Sequence, residues 1–265
     1  MKKGLYIVSS LLFLGFVIIV ALLGFFVKAL SLSGTIAAIF VGSSVVIGLQ
    51  GEGLILLGLF FGTSSLLSKV KSNVKQSSLQ IIEKGDTRDY GQVLANGLLP
   101  AVSCLIYAYT SDEGWIYIYA VSLAAATADT WASEIGTLSK RKPFHIFTFR
   151  RVPGGTSGAV SILGLFATVA GAGIIGAASI LFFDSIKITH FLMIVLLGTV
   201  GSMIDTVLGA TVQAKYICRQ CGLHTEKKVH CGITTKQLSG ITWMNNDAVN
   251  FTSIALAVIL SVIFV

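Results

Sequence analysis

Apolar residues run along this chain in long blocks rather than in the short alternations of half-buried elements. Eight blocks stand out: Leu5–Val27, Leu30–Gln50, Gly53–Ser68, Gln92–Thr110, Trp115–Gly136, Ser157–Phe183, Ile188–Gln213 and Asp247–Val265. A bilayer-crossing helix needs about 20 mainly apolar residues, because each rises about 1.5 Å through a hydrocarbon core about 30 Å thick. Each block is a predicted transmembrane helix. The third is short, which fits a tilted span, a re-entrant piece or half of a hairpin with the second. The expected fold is all-α, a polytopic integral membrane helix bundle of about 7–8 spans, with residues 1–265 as one membrane domain. The first block exceeds the apolar core of a cleaved signal, about 7 to 15 residues, so a retained anchor is expected behind Lys2 and Lys3.

Composition supports the same class. Of the 265 residues, 54% are hydrophobic and 12% charged, against about 25% charged in a soluble domain, and the mean hydropathy is +0.84. A cytosolic enzyme, a disordered chain and a disulfide scaffold are excluded, and no nucleic-acid partner is expected.

The few charges are unevenly placed. Of 19 Lys and Arg residues, fifteen fall in three segments. These hold Lys69, Lys71, Lys75, Lys84 and Arg88; Lys140, Arg141, Lys142, Arg150 and Arg151; and Lys215, Arg219, Lys227, Lys228 and Lys236. Positive charge stays on the cytoplasmic side, so these loops are expected there, in a cell membrane. Eight crossings leave the N-terminus outside, whereas a re-entrant pairing of the second and third blocks is read as about seven crossings with the N-terminus inside.

Four carboxylates, Asp129, Glu134, Asp205 and Asp247, fall within or at the ends of the spans. A carboxylate near a bilayer centre costs a few kcal/mol, so each is a candidate functional residue, with a structural polar pair as the alternative for any one alone. Chain direction puts all four in the cytoplasmic half. Asn96, Asn246 and Asn250 lie at the same level, the last two on one helix face with Asp247.

Arg150-Arg151-Val152-Pro153-Gly154-Gly155-Thr156-Ser157 leads into a predicted helix. A glycine-rich turn before a helix offers backbone N–H groups and a positive dipole end to a phosphate, and a plain turn capping the helix is the alternative. Carboxylates for a divalent metal, a phosphate-cradling turn and basic loops are the parts of a phosphoryl-transfer site. At a membrane face they imply one lipid substrate and a nucleotide arriving from the cytoplasm.

Residues 214–246 form a further cytoplasmic loop with Cys218-x-x-Cys221, His224 and His230-Cys231. Cys218, Cys221 and Cys231 with one histidine, His230, are a candidate Zn²⁺ set, and ordinary loop residues are the alternative. Cys104, alone in a span, is expected to pack.

Ala128-Asp129-Thr130-Trp131-Ala132-Ser133-Glu134-Ile135-Gly136, Gly155-Thr156-Ser157-Gly158, Gly201-Ser202-Met203-Ile204-Asp205-Thr206 and Asn245-Asn246-Asp247-Ala248-Val249-Asn250 resemble the signature stretches of a polytopic membrane family. That family contains the plant phytyl-phosphate kinase of the vitamin E pathway and many bacterial and archaeal proteins. The similarity covers residues 92–265, the motif-bearing part; the first ninety residues match in hydropathy and glycine content. The resemblance implies a kinase that phosphorylates an isoprenoid (prenyl or phytyl) monophosphate to its diphosphate, using CTP or another nucleoside triphosphate with Mg²⁺. It makes Asp129, Glu134, Asp205 and Asp247 candidates for metal or acid–base work, with Mg²⁺ on Asp205 and Asp129 or Asp247. Arg150, Arg151, Gly154, Gly155, Thr156, Ser157, Asn96, Asn246 and Asn250 become candidate phosphate contacts. An ion-coupled transporter or lipid translocator is the alternative, and it requires carboxylates near the midplane rather than toward one face.

Overall fold

A computed structural model describes residues 2–70, 81, 85 and 87–264. The basic residues Lys71, Lys75 and Lys84 therefore lie outside the described residues, as does Val265. Among the described residues there are seven α-helices: α1 (Lys2–Phe26), α2 (Leu32–Ser68), α3 (Tyr90–Thr110), α4 (Gly114–Gly136), α5 (Ile162–Phe182), α6 (Ile188–Thr211) and α7 (Asn246–Ser261). Six are long and apolar enough to cross a membrane. The chain is a polytopic helical membrane protein.

The second and third predicted spans are the two legs of α2. Gln50 has non-helical angles, φ 51° and ψ −137°, and the chain reverses there. The proof is Arg88, which touches both ends of the helix: its carbonyl accepts from the Ser31 N–H at 3.0 Å, and its Nη1 donates to Ser65 Oγ at 3.0 Å. A straight helix of 37 residues would hold its ends about 55 Å apart. At the hairpin tip Gln50 Nε2 donates to Ser10 Oγ on α1 at 3.0 Å, and the Tyr119 hydroxyl donates to the Gly53 carbonyl at 2.7 Å.

Each leg is about 27 Å long, close to the hydrocarbon thickness. Both ends of the hairpin lie with Arg88, so α1 runs toward the basic loops and its N-terminal end faces away from them. The arrangement with the N-terminus on the basic side is thereby corrected, because a hairpin that returns to its own face leaves the direction of α1 unchanged.

The remaining helices surround α4. That helix is not among the six by hydropathy, yet every residue from Ile116 to Ala128 is buried. It needs no lipid-facing stripe because protein covers it. Small residues allow close approach of its neighbours: Gly198 of α6 meets Ala124 and Ala172, and Gly201 meets Ala125 and Ala257. Such packing substitutes for the hydrophobic drive that lipid removes.

The basic loops carry short strands. β1 (Phe144–His145) pairs antiparallel with β2 (Ala159–Val160). In the loop before α7, β3 (Lys215–Ile217) lies between β4 (His224–Thr225) and β7 (Lys236–Ser239), while β5 (Val229–His230) and β6 (Ile233–Thr234) form a separate hairpin. The Glu226 N–H and the Thr225 hydroxyl both donate to the Ile81 carbonyl, at 2.8 and 2.7 Å. Two of the three basic segments are thus in direct contact on one face, as the charge pattern required.

Candidate active site

Polar side chains at helical spacing point inward at the basic-loop end of four helices. On α6 they are Ser202, Asp205 and Thr206; on α4 Asp129, Thr130 and Glu134; on α3 Gln92 and Asn96; and on α7 Asn246 and Asn250. In a bilayer such stripes must face protein or water, and here they line one cavity of about 500 Å³. Asp129 lies seven residues from the end of α4 and Asp205 six from the end of α6, so both carboxylates sit about 10 Å beneath the loops.

Neighbouring hydroxyls and amides hold the carboxylates. Ser202 Oγ donates to Asp129 Oδ1 at 3.4 Å, and Ser253 Oγ donates to Asp205 Oδ2 at 3.3 Å. The Asn250 amide, turned to satisfy both neighbours, donates to the same Asp205 oxygen at 3.0 Å and to the Asn246 carbonyl at 3.1 Å. Glu134 Oε1 accepts from Ser68 Oγ at 2.6 Å, and Ser68 Oγ accepts from Arg88 Nη2 at 3.3 Å. The guanidinium lies 5.6 Å from the Phe61 ring centroid. Arg88 is thus fixed by Ser65, Ser68 and an aromatic face, one hydroxyl away from a carboxylate.

Lys140, Lys142 and Arg88 line the same end of the cavity, as does Glu226 from the loop before α7. Glu226 Oε1 accepts from Ser157 Oγ at 2.6 Å. Burial pulls the Lys215 ammonium below its usual range, and the nearby Glu226 carboxylate opposes that shift.

The glycine-rich turn reaches the cavity without feeding a helix directly. Gly154, Gly155, Thr156 and Ser157 line the wall, but β2 intervenes and α5 starts at Ile162, capped by the Ser161 hydroxyl. The span expected from Ser157 therefore begins five residues later, because Gly158 adopts φ +81° and packs on the α6 backbone at Ala210. No side chain fits there. The docking brings Ser157 beside Glu226.

Of the residues singled out in the sequence, Asp129, Glu134, Asp205, Asn96, Asn246, Asn250 and Gly154 to Ser157 line one cavity. Asp247, Arg150 and Arg151 are not in its wall. Asn246 and Asn250, one turn apart, present the α7 face to the cavity, and Asp247 is rotated about 100° from Asn246. Arg150 and Arg151 are exposed; Arg151 Nη1 donates to the Lys142 carbonyl at 2.6 Å and its guanidinium covers Phe144 at 4.2 Å. Arg88, Glu226, Ser68 and Ser253 were not singled out. The serines are legible only as members of polar stripes, and the two charges sit in loops where charges are ordinary.

Toward α1 and the α2 hairpin the cavity wall is apolar. Val17 and Val20 of α1, Val41 of the first α2 leg, and Leu57, Phe60 and Phe61 of the second line that part. The legs meet at their tip, where a side chain on Gly53 would strike Val45 and Leu49, and nearer the basic face both border the common space.

Outside the cavity, one ligand atom from each of Cys218, Cys221, His230 and Cys231 lies within 4.8 Å of the others.

A family model described as integral membrane protein DUF92 matches residues 15–258. The chain is 32% identical over 254 residues to Protein PGR of Arabidopsis thaliana, covering 86% of each chain. It is 39% identical over 170 residues to the uncharacterized membrane protein MJ0933 of Methanocaldococcus jannaschii, covering 62% of this chain and 66% of that one. To Protein VTE6, chloroplastic, of Arabidopsis thaliana it is 23% identical over 242 residues, covering 89% of this chain and 66% of the other. No solved structure matches.

Proposed function

The chain belongs to the DUF92 family of integral membrane proteins, and from that premise we propose that it is a lipid-phosphate kinase. It moves the terminal phosphoryl group of a nucleoside triphosphate, CTP by the resemblance, onto an isoprenoid monophosphate. The observation that carries this is the two-part cavity: carboxylates and cations in one part of its wall, and an apolar lining from α1 and the α2 hairpin in the other. That is the shape and polarity of an amphiphilic phosphate. The motif resemblance to a family containing the plant phytyl-phosphate kinase supports the same chemistry.

The isoprenoid tail occupies a slot along that apolar lining, and its phosphate lies beside Asp129, Asp205 and Arg88. The nucleotide enters from the basic face, with its phosphates against the Gly154 to Ser157 turn and near Lys140 and Lys142. An oxygen of the acceptor phosphate forms a bond to the γ-phosphorus as the bond to the bridging oxygen breaks, and the nucleoside diphosphate leaves. The acceptor is already ionised, so no strong base is needed. Charge on the transferred group is met by Arg88, which Ser68 and Glu134 hold in place.

Magnesium sites take one or two carboxylates plus substrate phosphates, and Asp129 with Asp205 fit that donor set, each held from one side by a serine. A Mg²⁺ held by these two carboxylates would supply neutralisation of the negative charge on the reacting phosphates.

Purified protein given a γ-labelled nucleoside triphosphate and isoprenoid phosphates of several lengths tests the proposal. Label should appear in the lipid diphosphate, and Asp205→Asn should lower kcat about 10²- to 10³-fold. Transfer unchanged in Asp205→Asn overturns the assigned role, and lipid or ion flux without nucleotide consumption overturns the kinase in favour of a transporter.

A further inference from the structure

The loop that carries Glu226 has little apolar material of its own. Its strands are two to four residues long, and β5–β6 pairs only with itself among the described residues. Isolated two-stranded hairpins are marginal in water, and small units without a core are usually held by a disulfide or a metal. We propose that Cys218, Cys221, His230 and Cys231 bind one Zn²⁺, which clamps the β3–β4 turn to the β5–β6 turn and so fixes Glu226 at the cavity.

The geometry is that of a closed tetrahedral site. Zinc bonds of about 2.3 Å to sulfur and about 2.0 Å to nitrogen place a sulfur and a nitrogen ligand about 3.5 Å apart. Cys221 Sγ lies 3.5 Å and Cys231 Sγ 3.2 Å from His230 Nδ1, and all four ligand atoms fall within 4.8 Å of one another. Cys218 is buried beneath the exposed Cys221 and Cys231. Four protein ligands leave no open position, which marks a structural rather than a catalytic zinc.

The backbone is shaped for these ligands. After Cys218 the chain turns tightly: the Gly222 N–H donates to the Cys218 carbonyl and the Cys218 N–H to the Leu223 carbonyl, each at 2.9 Å, with Gly222 at φ +72°. The second turn is the two-residue link of the β5–β6 hairpin, with Cys231 at φ 53° and Gly232 at φ +75°. Asparagine, aspartate or glycine normally takes the first position of such a turn. A cysteine held there in the left-handed region is accounted for by the direction of its sulfur, back toward His230.

The consequence for the site follows from connectivity. Thr225 and Glu226 lie midway in the stretch that joins the first pair of ligands to the second, which Val229 leads into. Zinc fixes both ends of this stretch, while Ser157 and the Ile81 carbonyl hold its middle. The part concerning Glu226, which positions Ser157 of the turn assigned to the nucleotide phosphates, rests on the proposed phosphoryl-transfer site; the metal site does not.

Elemental analysis of the full-length protein, purified in detergent without added metal, should find one zinc per chain. Cys231→Ser should reduce this to background, and Co²⁺ exchanged into the wild type should give the intense visible bands of a tetrahedral thiolate site. Folded wild-type protein with no stoichiometric zinc, with iron instead, or with a Cys218–Cys221 disulfide by mass spectrometry overturns the proposal. If Cys231→Ser does not fold, zinc released from the wild type by an organomercurial and counted with a chromogenic chelator decides the same question. For the clamp, Glu226→Gln and Cys231→Ser should lower phosphoryl transfer alike, and the double variant no further than either. Additive losses overturn the clamp. A protein that binds zinc but transfers no phosphate overturns the kinase and leaves the metal site standing.

Discussion

Helices α4 to α7 and helices α1 to α3 are built from similarly apolar sequence, yet they leave different things between them. In the first group glycine and alanine bring backbones together, as where Gly201 meets Ala125 and Ala257, and hydroxyls pin Asp129 and Asp205 from neighbouring helices. In the second group the α2 hairpin closes at its tip and then borders an apolar space lined by larger side chains. Both groups pack closely at glycines, as where Gly48 of α2 meets the Cys104 carbonyl of α3; what differs is the lining, polar from α4, α6 and α7 and apolar from α1 and much of α2. The site proposed above, for phosphates and a hydrocarbon tail, needs both kinds of lining, and the wall of one cavity carries both.

Arg88 is where the two groups join, and its loss should have the largest effect of the substitutions that probe this division. Its backbone binds the α1–α2 connection, with the N–H donating to the Ala29 carbonyl and the carbonyl accepting from Ser31, both at 3.0 Å. Its side chain reaches toward Ser68 and Glu134. The backbone bonds survive in Arg88→Ala, so the protein should fold while kcat for transfer falls about 10²-fold. Arg88→Lys should recover part of this, since it keeps the charge and loses the fork. Equal activity in wild type and Arg88→Ala would detach the N-terminal helices from the chemistry.

A smaller effect is expected from filling the slot. Gly58 lines the cavity, and a Cβ there would meet nothing within 4 Å. Gly58→Phe should fit the helix without strain and project into the tail compartment. Displacing two methylenes of a long tail, at about 0.8 kcal/mol each, raises KM for that substrate roughly tenfold or more. A short-chain isoprenoid phosphate should be handled as before. Steady-state kinetics across a length series measures this, and a uniform change at every length would mean that the slot is not where the tail lies.

The division was partly legible in the sequence. Asp129 and Asp205 are legible because a carboxylate inside an apolar run is costly wherever it faces lipid, so its presence implies a protected, polar neighbour. The apolar runs located the helices for the same reason, since few alternatives accommodate some twenty apolar residues in a row. The α2 reversal is one of three readings of the short third span, and the contact of Gln50 with Ser10 and the shared approach of both ends to Arg88 select the hairpin. Arg88 and Glu226 were illegible in a different sense. A charge in a loop is cheap, and its role comes from what folds against it, here Ser68 and Ser157.

Arg151 gives the smallest expected effect and the sharpest test of that point. The sequence puts it beside the glycine-rich turn, where a phosphate contact is a natural inference. In the fold the guanidinium bonds the Lys142 carbonyl and covers Phe144 on the exposed side of the β1 segment. An exposed cation–aromatic contact is worth about 0.5–1 kcal/mol, and it acts on the loop rather than on the cavity. Arg151→Ala should therefore lower thermal stability slightly and change kcat/KM by less than about twofold, the range of a surface substitution. A loss at Arg151 that exceeds the loss at Arg88 would return the charge-neutralising role to the turn and remove it from the junction between the two groups of helices.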